Sequence, residues 1–423
     1  MRKGQQQAKP SWQRNLAVLW LGELIAISGF SVTLPFLPYY VQELGITDLN
    51  QVAFWAGLLT TAQAVTMAVV APVWGVVADR YGRKLMLERA MFGGAVVLAA
   101  MGLTRNVYQL TVLRAIQGML TGTVPAAMTL VASGTPIDRR GYALGMLQMS
   151  VYLGSSVGPL LGGLIADQMG YRATFFVTGS LLLIAGLLVT ALVREEVTPS
   201  QKIRRTEGAG QPKPRAAFWE GLVKVLHTGP LMTVFVIRVL GRTAPAIIGP
   251  FLPLFIQGIA APGAKIASIT GIISGVMSAT SAVAAMALGR LSDRVGGRRV
   301  LLACAVTDCI LYSIQPWSRN PTQFLILRAV AGVTAGGTLA SVNALMAPCA
   351  PKDCFGAVYG LDTSVGSAAN AIAPMVGAAL TTGWGLPAAF YGAVAMFGLS
   401  AVVTVFTARS RRQERKVDLP DSR

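Results

Sequence analysis

Apolar residues along this chain come in long continuous runs, not in the short alternations of a half-buried strand or the striped spacing of a water-facing helix. A helix needs about 20 mainly apolar residues to cross the hydrocarbon of a bilayer. Twelve runs of that order stand between charged or turn-rich breaks: residues 16–41, 52–78, 85–104, 107–132, 141–166, 173–193, 231–256, 266–291, 300–317, 323–346, 356–382 and 388–408. The pattern predicts an all-α membrane protein with twelve transmembrane helices. Between the sixth and seventh runs the chain turns polar and basic, with Gly208, Gly210, Pro212 and Pro214, as a linker does. The expected organisation is a six-helix bundle over 1–193, a linker over 194–229, and a second six-helix bundle with a basic tail over 230–423.

The two bundles repeat one another. Gly75 to Lys84 reads G-V-V-A-D-R-Y-G-R-K, and Gly289 to Arg298, 214 residues later, reads G-R-L-S-D-R-V-G-G-R. Leu113-Arg114-Ala115 returns as Leu327-Arg328-Ala329 at the same offset, and Pro35-Phe36-Leu37-Pro38 returns as Pro250-Phe251-Leu252-Pro253 at 215. Pro136, Asp138, Gly141, Gly145, Pro159 and Gly162 fall on Pro351, Asp353, Gly356, Gly360, Pro374 and Gly377, again at 215. Spacing this even marks an internal duplication, so the bundles are pseudo-symmetric.

Composition agrees with a chain dissolved in lipid: 53% hydrophobic and 13% charged residues, with a mean hydropathy of +0.56. The formal net charge of +18 does not point to nucleic acid, because the basic residues punctuate apolar runs and form no face interleaved with stacking aromatics. They serve orientation instead. Of 36 lysines and arginines, 28 fall at the termini, in the linker and in the loops on that same face; the opposite loops hold only Arg105, Arg172, Lys265 and Arg319. Short basic loops stay in the cytoplasm, so both termini are expected inside an inner (cytoplasmic) membrane. The first run continues from residue 16 to 41 without a cleavage-site pattern, which reads as a retained span. Cys304 and Cys309, and Cys349 and Cys354, lack zinc spacing, so neither a metal nor a disulfide is expected. His227 reads as a solvated juxtamembrane residue.

Two six-span halves, each with a D-R-x-G turn after its second span, resemble the major facilitator superfamily over essentially the whole chain. The first turn fits the signature G-x-x-x-D-[RK]-x-G-[RK]-[RK] throughout. The second departs at Gly297, where the first has Arg83. The glycines permit a tight turn and Asp79 can lie at the positive end of another helix. The resemblance implies that this helix is the eleventh, and that Gly75, Asp79, Arg80, Gly82 and Arg83, with Gly289, Asp293 and Arg294, form a conformational latch. Asp138, Asp353 and Asp362 are placed with it.

Gly154-Ser155-Ser156-Val157-Gly158-Pro159-Leu160-Leu161-Gly162-Gly163 in the fifth span reads G-x-x-x-G-P-x-x-G-G and is similar to the signature of the superfamily's twelve-span drug/proton antiporters. Small residues four apart allow close helix approach and the proline bends the span, so Gly154, Gly158, Pro159, Gly162 and Gly163 are expected to seal a flexible contact between halves. Leu110, Arg114, Gln117 and Gly118 fit L-x-x-x-R-x-x-Q-G in the fourth span, and the resemblance gives Arg114 a part in proton coupling. An intramembrane arginine normally faces a partner or a cavity; Arg328, nearer its helix end, could equally snorkel. Glu23 lies about two turns into the first span, and its counterpart 215 residues on is Arg238. These opposite charges, with Arg242 one turn beyond, are the expected proton and substrate residues, in contact directly or through water. Asp308 has no evident partner. The duplicated P-F-L-P runs predict weak points near the ends of the first and seventh spans.

The expectation is a secondary antiporter working by alternating access, admitting protons while exporting small amphiphilic compounds. No phosphate-cradling G-x-x-x-x-G-K-[ST] motif occurs, so ion gradients are expected to supply the energy; no catalytic residues and no cofactor are expected. The implied partners are substrate, protons and the lipid bilayer, with the monomer as the working unit. Its rivals are a dedicated exporter of a metabolite, sugar or siderophore, and a non-transporting receptor or scaffold. The second would need neither Arg114 nor the glycine–proline helix.

Overall fold

The computed structural model describes residues 12–136, 139–193, 195, 229–346 and 355–417; the side chains at 72, 75, 76, 79, 80, 229–231, 355–365 and 407–417 fall outside that description. The described residues form helices without a strand: α1 Trp12–Thr33, α2 Leu37–Glu43, α3 Leu49–Tyr81, α4 Arg83–Gly102, α5 Val107–Leu120, α6 Thr123–Gly134, α7 Arg140–Met169 and α8 Tyr171–Leu192. The second half contributes α9 Gly229–Ile248, α10 Leu252–Ile259, α11 Ile266–Val295, α12 Gly297–Ile314, α13 Pro321–Met346, α14 Phe355–Trp384 and α15 Pro387–Val417. Among the described residues, eleven segments are long and apolar enough to span a membrane. The twelfth, α14, is a helix of 30 residues, or about 45 Å, ample for a bilayer. The linker expected at 194–229 lies outside the described residues apart from Glu195 and Gly229.

Backbone chemistry explains where helices end. In lipid every amide must be bonded within the protein, so breaks are confined to residues that tolerate them. Both duplicated turns use a glycine at positive φ, Gly82 at 112° and Gly296 at 99°, a region that disfavours side chains. Both P-F-L-P runs convert the helix to a 3-10 turn, over Leu34–Phe36 and Gly249–Phe251, because proline offers no amide hydrogen. A further repeat sits in the loops. Asn106 and Asn320 accept the amides of Gln109 and Gln323, whose side chains in turn accept from the amides of Arg105 and Arg319. These are reciprocal caps at an offset of 214.

One break was not expected. The fourth run, read as continuous, is divided at Thr121 and Gly122, where Gly122 has φ 130°. Its second-half equivalent, α13, is unbroken.

Within the first half α1 packs on α7 and α8; within the second, α9 packs on α14 and α15. Between the halves, α7 meets α11 and α3 meets α14, as a pseudo-twofold requires. The described polar contacts between halves lie at or beyond mid-membrane, toward the face away from the basic loops. There the Tyr39 hydroxyl donates to the Pro253 carbonyl at 2.6 Å, and the Asp167 carboxylate accepts the Ala267 and Ser268 amides at 3.3 and 2.8 Å. That acid caps the start of α11 from the end of α7.

Candidate substrate cavity and coupling residues

The fifth-span glycines divide their work in a way the motif alone did not reveal. A methyl group at Gly154 would lie 2.9 Å from the Ser28 amide, and one at Gly158 2.5 Å from the Ser28 carbonyl. Gly162 likewise abuts the Val32 carbonyl. All three therefore close α7 onto α1 inside the first half. Only Gly163 faces the other half, where a methyl would stand 2.5 Å from the Ala267 carbonyl. Around it, Gly271 abuts the Pro159 carbonyl and the Ser156 hydroxyl donates to the Gly275 carbonyl at 2.9 Å. The expectation of four glycines sealing the halves is thus corrected: one glycine seals, with help from glycines of α11 that the motif did not include.

Glu23 is fully buried on α1. One carboxyl oxygen accepts from the Thr123 hydroxyl at 3.4 Å, and the other has no hydrogen-bond partner among the described residues. Thr123 opens α6 just past the break at Gly122, so that unpredicted discontinuity is what brings a donor to the acid. Arg114 is 2% exposed; it donates to the Gln117 side chain at 2.8 Å and to the Leu59 carbonyl at 3.4 Å. It is buried, not snorkelling. Neither group has an ion-pair partner among the described residues.

Arg238 turns the other way. Its guanidinium donates to Asn343 of α13 at 2.8 Å, while Glu23 accepts from Thr123 of its own half; the two charges form no ion pair with each other, although symmetry equates their positions. Arg242 lies against Gly366 of α14, where any side chain would collide with the guanidinium. Tyr152 of α7, in the other half, is within electrostatic range of both arginines. At the basic end of α1 and α7 a groove of about 610 Å³ is lined by Trp12, Trp20, Tyr142, Met146 and Arg139 among others. Trp20 sits one turn from Glu23.

The latch is only partly visible. Asp138 and Asp353 lie outside the described residues, as do the side chains at Gly75, Asp79, Arg80 and Asp362. Next to them, the Arg83 and Lys84 amides donate to Glu195 at 3.0 and 3.1 Å, and the Arg83 side chain donates to the Thr129 carbonyl at 3.0 Å. These contacts stay within the first half. In the second copy Gly289 faces Ala340 loosely, while Asp293 and Arg294 are exposed and make no contact among the described residues. Gly297 departs from the signature for a steric reason: a side chain there would press on Ser292, Leu345 and the Ser341 carbonyl. Asp308 is also corrected. It has a partner, the Thr334 hydroxyl of α13.

The profile of the Major Facilitator Superfamily matches in two stretches, residues 19–267 and 246–422. The chain belongs to the major facilitator superfamily. It is 33% identical over 403 residues to the multidrug resistance protein MdtG of Citrobacter koseri, covering 95% of this chain and 97% of that one. To MdtG of Salmonella typhimurium it is 32% identical over 402 residues, with the same coverage. Among solved structures, a bacterial homolog of the human lysosomal transporter Spinster, inward-facing and occupied, superposes with a TM-score of 0.76 at 15% identity, covering 95% of this chain and 98% of that one. The nucleoside transporter NupG gives 0.73 at 12% identity, covering 92% and 99%. These likenesses fix the fold: this is a multi-pass membrane transporter of the superfamily, not an enzyme.

Proposed function

We propose that this chain is a proton-driven exporter of small amphiphilic compounds, working as one chain in the cytoplasmic membrane with its basic face and both termini inside. Likeness to MdtG along nearly the whole chain supports multidrug export. The observation that carries proton coupling is Glu23: fully buried, with one long hydrogen bond from Thr123 and no ion-pair partner among the described residues. An ionised carboxylate so placed would cost several kcal/mol unless charge is supplied. Such a group exchanges its charge for a proton or for a cationic substrate, and that exchange is what antiport needs. Rocking about α7 and α11 would open the basic face and the opposite face in turn.

A second reading, export of one anionic metabolite, is favoured by Arg238 and Arg242, with Tyr152 of the other half within electrostatic range of both. One experiment separates them. A panel of cationic, neutral and anionic dyes is offered to everted vesicles under an imposed proton gradient, with the native chain and Glu23→Gln. Proton-dependent movement of several unrelated dyes, lost or narrowed in Glu23→Gln, is the expected outcome. Movement confined to anions and indifferent to Glu23→Gln would favour the second reading.

A further inference from the structure

The second half contains a buried polar stripe that the first half lacks. Asp308, Tyr312 and Gln315 follow at i, i+4 and i+7 along α12 and the 3-10 turn that ends it, and are 2%, 2% and 0% exposed. Ser318 continues the line to the loop on the face away from the basic turns, at 8% exposure. From α13, Arg328 donates to the Tyr312 hydroxyl at 3.4 Å, and Thr334 reaches Asp308. Both ends of the Gln315 amide, the Ser318 hydroxyl and Arg328 Nε are shut away from bulk solvent with no hydrogen-bond partner among the described residues. Each such atom left dry costs about 1–3 kcal/mol, whereas internal water satisfies groups of this kind at little cost.

The duplication shows that the fold does not require this stripe. At the offset of 214, Asp308, Tyr312 and Gln315 correspond to Gly94, Leu98 and Met101, which offer no side-chain hydrogen bond donor. Ser318 corresponds to Thr104, whose hydroxyl is engaged with the Met101 carbonyl and Tyr40. Arg114 keeps its glutamine, Gln117, but the match of Gln117 is Ala331, and Arg328 has turned to Tyr312 instead. The second half has changed its wiring as a set.

Thr334 supplies a two-state element. Its single hydroxyl proton is within reach of both Asp308 and the Ala331 carbonyl, the latter at 2.9 Å. With Asp308 ionised, the hydroxyl donates to the carboxylate. With Asp308 protonated, the acid donates and the hydroxyl turns to Ala331. In both states Thr334 and Asp308 keep a hydrogen bond to one another, so a proton can come and go without moving a helix.

We propose that Asp308 is a second proton-binding site, private to the second half, fed from the face opposite the basic turns through water held by Ser318, Gln315, Tyr312 and Arg328. Among the described residues, the ionisable groups around it are Arg328 from α13 and Cys304, Cys309 and Tyr312 from α12. From α15 the contact is Phe397 on Tyr312 at 5.0 Å, and no charged side chain lies within its residues 387–406; α11 carries Arg290, Asp293 and Arg294 only in its last two turns. The inference takes its purpose from the proton-driven reading above, but its test does not depend on transport.

The test is infrared difference spectroscopy of the purified full chain in lipid bilayers, titrated between about pH 5 and pH 9, across which shifted carboxyls titrate. The native chain is expected to show a protonated-carboxyl band that Asp308→Asn removes and Glu23→Gln leaves in place. An identical band in the native chain and Asp308→Asn would mean that Asp308 does not change its protonation over this range, and overturns the proposal. Gln315→Met, which installs the first-half residue, serves if Asp308→Asn does not fold. After a pH jump it is expected to protonate at least about tenfold more slowly, equivalent to about 1.4 kcal/mol on the barrier, with the same final amplitude. An unchanged rate would overturn the route.

Discussion

Gln42 and Gln257, equivalent residues of the two halves, bond to each other: each side-chain amide donates to the other's oxygen, at 3.1 and 3.3 Å. A residue that meets its own counterpart marks the pseudo-twofold axis on the face opposite the basic turns. The pair closes that face together with Tyr39 on Pro253 and Asp167 on α11. If the glutamines act as a unit, Gln42→Ala and Gln257→Ala will be non-additive. A coupling of about 0.5–1.5 kcal/mol in a double-mutant cycle of thermal unfolding is expected; strict additivity would show that the bonds contribute nothing.

Asp167 caps α11 across the halves, so its charge and its hydrogen-bonding oxygens can be separated. Asp167→Asn keeps an acceptor, and Asp167→Ala removes it at about 1 kcal/mol. Spin-label distances across that face are expected to show little change for Asn and a larger open population for Ala. Equal distance distributions in all three proteins would remove the cap from the gating account.

The glycine contacts predict a division between stability and motion. Gly158→Ala presses on α1 within one half and is expected to lower the unfolding temperature, with about 1–3 kcal/mol of overpacking. Gly163→Ala presses on α11, which the halves can relieve by parting. Its expected signature is a shifted opening equilibrium at nearly native unfolding temperature. If Gly163→Ala destabilises as much as Gly158→Ala without shifting the opening, the two contacts are alike.

Gly122 at φ 130° is expected to reject a side chain: Gly122→Ala should cost about 1–2 kcal/mol. Because Thr123 would shift with it, dye export should also lose proton dependence. Retained coupling in a destabilised protein would free Glu23 from reliance on this break.

Much of the fold was legible in the sequence because lipid leaves helices few alternatives. Eleven of the twelve runs became helices long and apolar enough to cross a bilayer and the other lies in α14, and the D-R-x-G and P-F-L-P repeats fell on the backbone breaks that glycine and proline favour. The break at Gly122 was hidden because Thr121-Gly122-Thr123 is too short to interrupt the apolar run around it. Symmetry equates Glu23 with Arg238 by position but does not say which way their side chains turn; Thr123 and Asn343, uncharged and unremarkable in sequence, are the partners they meet. Asp308 seemed partnerless for the same reason, since a threonine one helix away gives no signal in the chain. The fifth-span motif named the right helix, yet its glycine spacing cannot tell a neighbour in the same half from one across the interface.

The unequal fourth spans give the two halves unequal stiffness. In the second half α13 is a single rod of 26 residues, whereas α5 and α6 are joined at Gly122 by a hinge. Under the same lateral load from the bilayer, the rod turns as one piece and the jointed helix folds where it is cut. A rocking first half would thus have a place to bend beside Glu23 that the second half lacks.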